Sequence, residues 1–257
     1  MKKLYISDVC AWAPGLYDDA ENWKAWKEGK MEISAIKESP KLEYTDPLFR
    51  RRLSQITKMT VHVIHNLLEK TGANENAAGP DSGSGTSISK ETKINFISLR
   101  GEIEREFTIN KSLIEDGAIL PAGFSLSVFN TPVASATLAF GLKGGYTVIF
   151  PSKGNFDSAL KNAVAPVLAG TEEKIILVYA DEFVPDYYGD KRPEQNIPFA
   201  FAAVVSAESS FDSSTELSAC EVNSKTSSKI SKNCDGVHVL SLDSIYISPI
   251  DFLKSIL

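Results

Sequence analysis

The sequence predicts an α/β fold in helix–sheet–helix layers, and three observations carry that prediction. Short apolar runs of strand length alternate along the chain with segments whose apolar residues recur at helical spacing. An apolar share of 43% beside 23% charged residues is that of an ordinary globular protein. A length of 257 residues suffices to bury a substantial core within one domain, here taken as 1–257.

Lys3-Leu4-Tyr5-Ile6-Ser7-Asp8-Val9 alternates and reads as the first strand, with Cys10-Ala11-Trp12-Ala13-Pro14-Gly15 as a turn after it. Asp18 to Glu28 reads as a short helix that sets Trp23 and Trp26 on one face, as packing residues rather than a ligand platform. After a loop holding Pro40 and Pro47, Phe49 to Lys70 reads as the clearest helix. In it Leu53, Ile56, Thr57, Thr60, Val61, Ile64, Leu67 and Leu68 share a face, and Gly72 is the stop. Residues 73–92 are rich in Gly, Ser and Asn, cannot repay their ordering entropy and are expected to form a mobile loop.

Ile94–Leu99 reads as a strand, Glu102–Glu115 as partly helical and strongly charged, and Pro132–Leu142 as a short helix of small residues. The strand Tyr146–Phe150, the helix Asn155–Leu168, the strand Lys174–Ala180 and the buried strand Phe199–Ser206 follow. The Ser-rich run 208–235 is expected to be a long hairpin loop or a second mobile segment. Val237–Leu242 reads as an edge strand and Pro249–Leu257 as a short amphipathic helix.

A net charge of −6 argues against a nucleic-acid footprint, which is basic. The first apolar run is broken by Asp8, so it makes no signal-peptide core, and no window approaches the length of a membrane span. Cys10, Cys220 and Cys234 are far apart and form no CxxC pair, which fits neither a disulfide framework nor a zinc module. A cytoplasmic protein without a cofactor is the expectation.

Local motifs are weak when taken singly. Gly83-Ser84-Gly85-Thr86 lacks the lysine and the strand-to-helix setting of a phosphate loop. His62 and His65 stand three apart on a helix, but a metal site needs a further ligand, and His238 lies far along the chain. Arg50-Arg51-Arg52 open the expected long helix, where cations oppose the helix dipole; they read as a solvated face or as a contact for an anionic partner. Asp181 and Glu182 follow an apolar strand, where α/β sites often place carboxylates, yet no histidine stands beside them. Neither Cys10 nor Cys220 has a matched histidine that would make it a nucleophile.

Gly141-Leu142-Lys143-Gly144-Gly145-Tyr146-Thr147-Val148-Ile149-Phe150-Pro151-Ser152-Lys153-Gly154 is the most informative stretch. A Lys- and Gly-rich turn feeds a short strand, which ends in a tight turn opening a helix. Such a turn presents a nucleophile to a helix N-terminus, whose dipole lowers a thiol pKa. Here the turn holds Ser152 and Lys153 and no cysteine.

With this stretch, Ala11-Trp12-Ala13-Pro14-Gly15, Trp23-Lys24-Ala25-Trp26-Lys27-Glu28-Gly29, Phe49-Arg50-Arg51-Arg52-Leu53-Ser54 and Ser127-Val128-Phe129-Asn130-Thr131-Pro132 occur in order. Together they resemble the β-ketoacyl-synthase-like N-terminal domain, the half-length branch of the thiolase-fold condensing enzymes, over about residues 1–205, with 73–92 and 208–235 as insertions. The resemblance implies half of a thiolase-like (ketosynthase) fold. It sets the position of the ketosynthase cysteine at or next to Lys153, and the two catalytic histidines, which belong to the second thiolase half, have no counterpart.

The implied function is a non-catalytic chain-length factor. It would pair with a catalytic ketosynthase as a heterodimer, meet an acyl carrier protein through that complex, and serve type II polyketide synthesis of the aryl polyene kind. The implied interface is the strand with Tyr146, Val148 and Phe150, pairing antiparallel across a pseudo-twofold. The implied tunnel lining is Phe129, Thr131, Ala134, Ser135, Thr137 and Leu138, with Arg50, Arg51 and Arg52 as a carrier-protein or interface contact. The other reading is an autonomous acyl-transfer or hydrolytic enzyme using Ser152, Lys153 and an acid such as Asp181.

Overall fold

The computed structural model describes residues 3–73, 88–191, 196–207, 237–240 and 245–257. Among these, six strands form one sheet: β1 (Leu4–Trp12), β2 (Lys93–Ile97), β3 (Tyr146–Ile149), β4 (Lys174–Asp181), β5 (Phe199–Ala207) and β6 (His238–Leu240). The helices are α1 (Ala20–Lys27), α2 (Pro47–Arg51), α3 (Gln55–Lys70), α4 (Ile103–Asp116), α5 (Pro121–Phe124), α6 (Thr131–Phe140), α7 (Phe156–Ala169) and α8 (Pro249–Ile256), with a 3-10 segment at Asp186–Lys191.

The sheet order is β3-β2-β4-β5-β1-β6. β3, β2 and β4 run parallel, because helical crossovers (α4 to α6, then α7) return the chain to the same end of the sheet. β5, β1 and β6 are joined antiparallel. Alternation in the two central strands assigns the layers. Ile175, Leu177 and Tyr179 of β4 and Phe199, Phe201 and Ala203 of β5 face α7, α8 and the tryptophans of α1. Ile176 and Val178, with Ala200, Ala202 and Val204, face α3 and α6. Both faces are covered, so these strands read as continuous apolar runs rather than as an alternating pattern.

β1 continues through Cys10 to Trp12, beyond the turn expected there, because Cys10, Ala11 and Trp12 pair with Ala202, Phe201 and Ala200. A bulge between Ser7 and Cys10, with Asp8 at φ 54°, inserts one residue and reverses the alternation. Leu4 and Ile6 therefore point to the α7 side while Trp12 points to the α3 side.

The expected single helix from Phe49 is two helices. Asp46 caps α2 through Leu48 and Phe49, and Ser54 begins α3 by accepting from the Thr57 N–H at 3.2 Å. Arg50 and Arg51 thus occupy the last turn of α2 and Arg52 its C-cap, where cations favour the helix dipole instead of opposing it. α5 and the 3-10 segment have no sequence expectation behind them. Trp23 and Trp26 are buried edge to face at 5.4 Å, with Lys254 of α8 over the Trp26 ring at 5.2 Å.

The expected loop at 73–92 ends earlier than the composition suggests, since Ile88 is buried in the core beside α3. Residues 74–87 of that loop, Gly83–Thr86 among them, the run 208–235, Cys220 and Cys234 lie outside the described residues.

Candidate functional site

β3 is an edge strand, joined to β2 on one side only. Its side chains are unusually open for a strand in a parallel sheet: Tyr146 and Thr147 are exposed, and Val148 and Ile149 half-buried. The turn before it is built for close approach. Gly144 donates to the Lys90 carbonyl at 3.2 Å, and a Cβ there would stand 2.3 Å from the Glu91 carbonyl oxygen, so no other residue fits without movement.

Beyond β3, Phe150 is exposed and packs on Phe129 with ring centroids 4.3 Å apart. Phe129 in turn lies over Gly101, where a Cβ would fall 2.4 Å from its ring. Asn130 ties this corner to the strand by donating to the Tyr146 hydroxyl at 3.0 Å. On α6, Thr131 and Ser135 turn inward, Ala134 and Thr137 are half-buried, and Leu138 is 82% exposed. The Thr137 hydroxyl is spent on the Ala134 carbonyl at 2.8 Å.

Sequence reasoning missed the continuation of this face onto α4 and α5. Leu113, Ile114, Leu120 and Phe124 are all exposed, Ile114 at 83%. Adjacent apolar residues at the end of a charged helix were the available signal. A further arrangement unites two groups of residues that the sequence keeps apart. Arg51, Arg52 and Arg105 share a groove of about 830 Å³ with Ser135, Leu138 and Leu126. Arg50 instead folds back onto the Leu42 carbonyl at 3.4 Å.

At the strand-to-helix turn, Ser152 and Lys153 are exposed, and neither side chain has a hydrogen-bond or ion-pair partner among the described residues, while the Ser152 carbonyl accepts from the Asn155 N–H at 3.0 Å. Asn155 starts α7 without a side-chain cap, and Phe156 anchors the helix in the core. No histidine converges here. His238 lies on β6, the opposite edge of the six-stranded sheet, about 24 Å away at roughly 4.8 Å per strand. His62 and His65 belong to α3 on the outer layer. His62 meets both Asp18 carboxylate oxygens at 2.9 Å and the Tyr44 hydroxyl at 3.1 Å. His65 stacks on Tyr44 at 3.6 Å, and burial lowers its pKa.

Asp181 is fully committed elsewhere. It accepts from Ser98 Oγ at 2.8 Å, from the Leu99 and Arg100 N–H groups at 3.1 and 3.0 Å, and from the Tyr179 hydroxyl at 2.6 Å. Burial raises its pKa against the opposing pull of Arg100 and those donors. It is a staple for the turn after β2. Glu182 is likewise buried, beneath the start of α4. Cys10 lines a separate pocket of about 640 Å³ with Asp18, Trp23 and Lys24, and burial pushes its thiol up to about 11, far from a reactive thiolate at neutral pH.

No helix among the described residues is long and apolar enough to cross a membrane. No protein of curated function matches the chain in sequence. The fold resembles that of solved condensing-enzyme structures. A ketosynthase in complex with its chain length factor from Xenorhabdus doucetiae aligns at TM-score 0.64 and 24% identity, over 79% of each chain. The ishigamide ketosynthase/chain length factor aligns at 0.61 and 12% identity, over 82% of this chain and 63% of that one. A β-ketoacyl synthase from Burkholderia phymatum aligns at 0.56 and 13% identity, over 81% and 60%. The layered sheet is therefore the thiolase-like fold. Residues 85–249, more than half of the sequence, match the model of the β-ketoacyl synthase N-terminal domain, and the chain belongs to that family.

Proposed function

We propose that this chain is a non-catalytic chain-length factor, a one-domain subunit that pairs with a catalytic ketosynthase in the cytoplasm and shapes the tunnel for a growing acyl chain. The observation that carries the reading is the open edge of β3, flanked by exposed Phe129, Leu138, Tyr146 and Phe150. An apolar edge strand invites pairing with another sheet and is otherwise an aggregation hazard. A partner strand laid antiparallel on β3 would satisfy its free backbone groups and cover these rings.

The turn at Ser152 and Lys153 supports the non-catalytic part. Condensation needs a thiol to carry the acyl chain and histidines to drive the carbon–carbon step, and among the described residues no cysteine or histidine stands near this turn. Half-buried Ala134 and Thr137 on α6 would set tunnel depth, since close packing turns side-chain volume directly into length. Product synthesis would then be of the type II polyketide kind, aryl polyenes included. Arg51 and Arg52 at the groove would meet an acidic carrier protein or the partner.

Purification of the chain from its native cells, with partner identity and stoichiometry by mass spectrometry, tests the reading. An equimolar ketosynthase bearing cysteine and histidines is the expected result. A homodimer whose acyl-transfer or hydrolase activity is lost in Ser152→Ala and Lys153→Ala would overturn it. Within the complex, Ala134→Phe or Thr137→Phe is expected to shorten products without abolishing condensation. Unchanged product length in an intact complex would remove the tunnel assignment.

A further inference from the structure

α4 is fixed to the body through its N-terminal half: none of its residues is buried, its first turn carries the polar ties, and in the second turn half-buried Phe107 stacks on Tyr187 with ring centroids 3.6 Å apart. Glu102, immediately before the helix and 2% exposed, accepts from Ser54 Oγ at 2.7 Å, from Thr57 Oγ1 and from Arg105 Nε at 3.2 Å. Glu182, just past β4 and 0% exposed, accepts from the Glu104 N–H at 3.0 Å through Oε1. Its Oε2 is buried without a hydrogen-bond partner. Arg105 donates to the Arg52 carbonyl at 2.8 Å, and the Tyr188 hydroxyl to the Ile103 carbonyl at 3.1 Å. Two carboxyls thus sit out of water at the root of one helix, and like charges so placed cannot both ionise without strain.

We propose that α4 is an arm latched at its first turn by the buried Glu102–Glu182 pair holding one proton, and that loss of this proton frees the arm from the sheet. Burial, and after it the Glu102 charge, push the Glu182 carboxyl up to about 8; the Glu104 N–H and, from α3, the Ile56 N–H oppose them, and the Glu104 carboxylate adds to them. Glu102 is raised as well, by burial, against the pull of Thr57, Ser54 and Arg105. The other charged or titratable groups facing the pair are few. Arg100 reaches the Glu182 carbonyl at 3.3 Å, Lys37 pairs with Glu104, Asp181 precedes Glu182 on β4, and Tyr187 and Tyr188 close the side toward the 3-10 segment.

The direction follows from proton linkage. The latched state keeps its proton up to about pH 8, whereas Glu182, once α4 has left it, meets water and titrates near its ordinary 4.5. Latching is strongest in acid and weakens as pH rises between those values, so opening grows about tenfold per pH unit there and levels off above. The latch concerns α4 alone and stands whether or not the apolar face takes the partner proposed above.

Hydrogen exchange of the full chain by mass spectrometry from pH 5 to 9, corrected for intrinsic exchange, tests it. α4 peptides are expected to be less protected than α7 at every pH. Their protection should fall about tenfold per unit up to pH 8 and then flatten. Glu182→Gln, which keeps the shape without the charge, should make the α4 profile flat. A pH-independent wild-type α4 overturns the latch with no variant needed. So does an α4 protected to the same degree as α7 at each pH, since it would then open only with the whole molecule. An unchanged slope in Glu182→Gln would overturn the assignment to this pair.

Discussion

α3 and α4 are near equals in length, 16 and 14 residues, and their N-terminal turns meet at Glu102, yet they are held by opposite means. α3 sinks ten residues, among them Ile56, Met59, Val63, Ile64 and Leu67, between the sheet and α6. α4 sinks none, is tied down at one end by polar groups and by Phe107 stacked on Tyr187, and turns Leu113 and Ile114 outward at the other. The difference teaches that a helix in this fold is either part of the core or part of a surface awaiting cover. Leu113 and Ile114 of α4 have no core to serve and stand exposed.

The largest effect that would break this comparison is on stability. Leu67→Ala on α3 is expected to cost about 2–5 kcal/mol in urea denaturation, through lost burial and the cavity left behind. Ile114→Ala on α4 should stay within about 0.5 kcal/mol, as an exposed site does. Equal costs would mean that α4 is packed after all.

A middling effect is expected at the open face. Leu138→Asp should leave the thermal midpoint of the isolated chain within a degree or two yet lower affinity for a ketosynthase partner by about tenfold or more, because a carboxylate would be desolvated in an apolar contact. Wild-type affinity in that variant would remove α6 from the interface. The smallest effect sharpens the junction of the two helices. Ser54→Ala removes the α3 cap and one donor to Glu102 together, and should lower stability by about 1 kcal/mol while raising exchange in both first turns. A change confined to α3 would show that the shared carboxyl does not couple them.

Much of the fold was legible because its signals are local. The apolar runs at 174–180 and 199–206 had to be buried strands, and the spacing of Ile56, Val61, Ile64 and Leu68 had to be a helix. The break at Ser54 was not foreseen, although a Ser before Gln55 is a capping signal, because the apolar period runs across it from Leu53. The bulge at Asp8 was hidden for a related reason: an inserted residue changes which face later side chains take, and only pairing with β5 reveals it. Of the candidate site, the edge position of Tyr146–Ile149, the outward aim of Leu138 and the inward turn of Ser135 depend on which strands and helices lie alongside.

The sequence by itself determined the layered α/β class, the family resemblance and the missing thiol at the strand-to-helix turn, since periodicity, motif order and residue identity are properties of the chain. Only the tertiary structure decided that Arg51 and Arg52 share a groove with Ser135 and Leu138. It alone set Asp181 to stapling a turn and brought Glu102 and Glu182 together in the interior. These pairings join residues tens of positions apart, and what brings them together is the burial of apolar surface elsewhere, which the local sequence around each carboxyl or arginine does not encode.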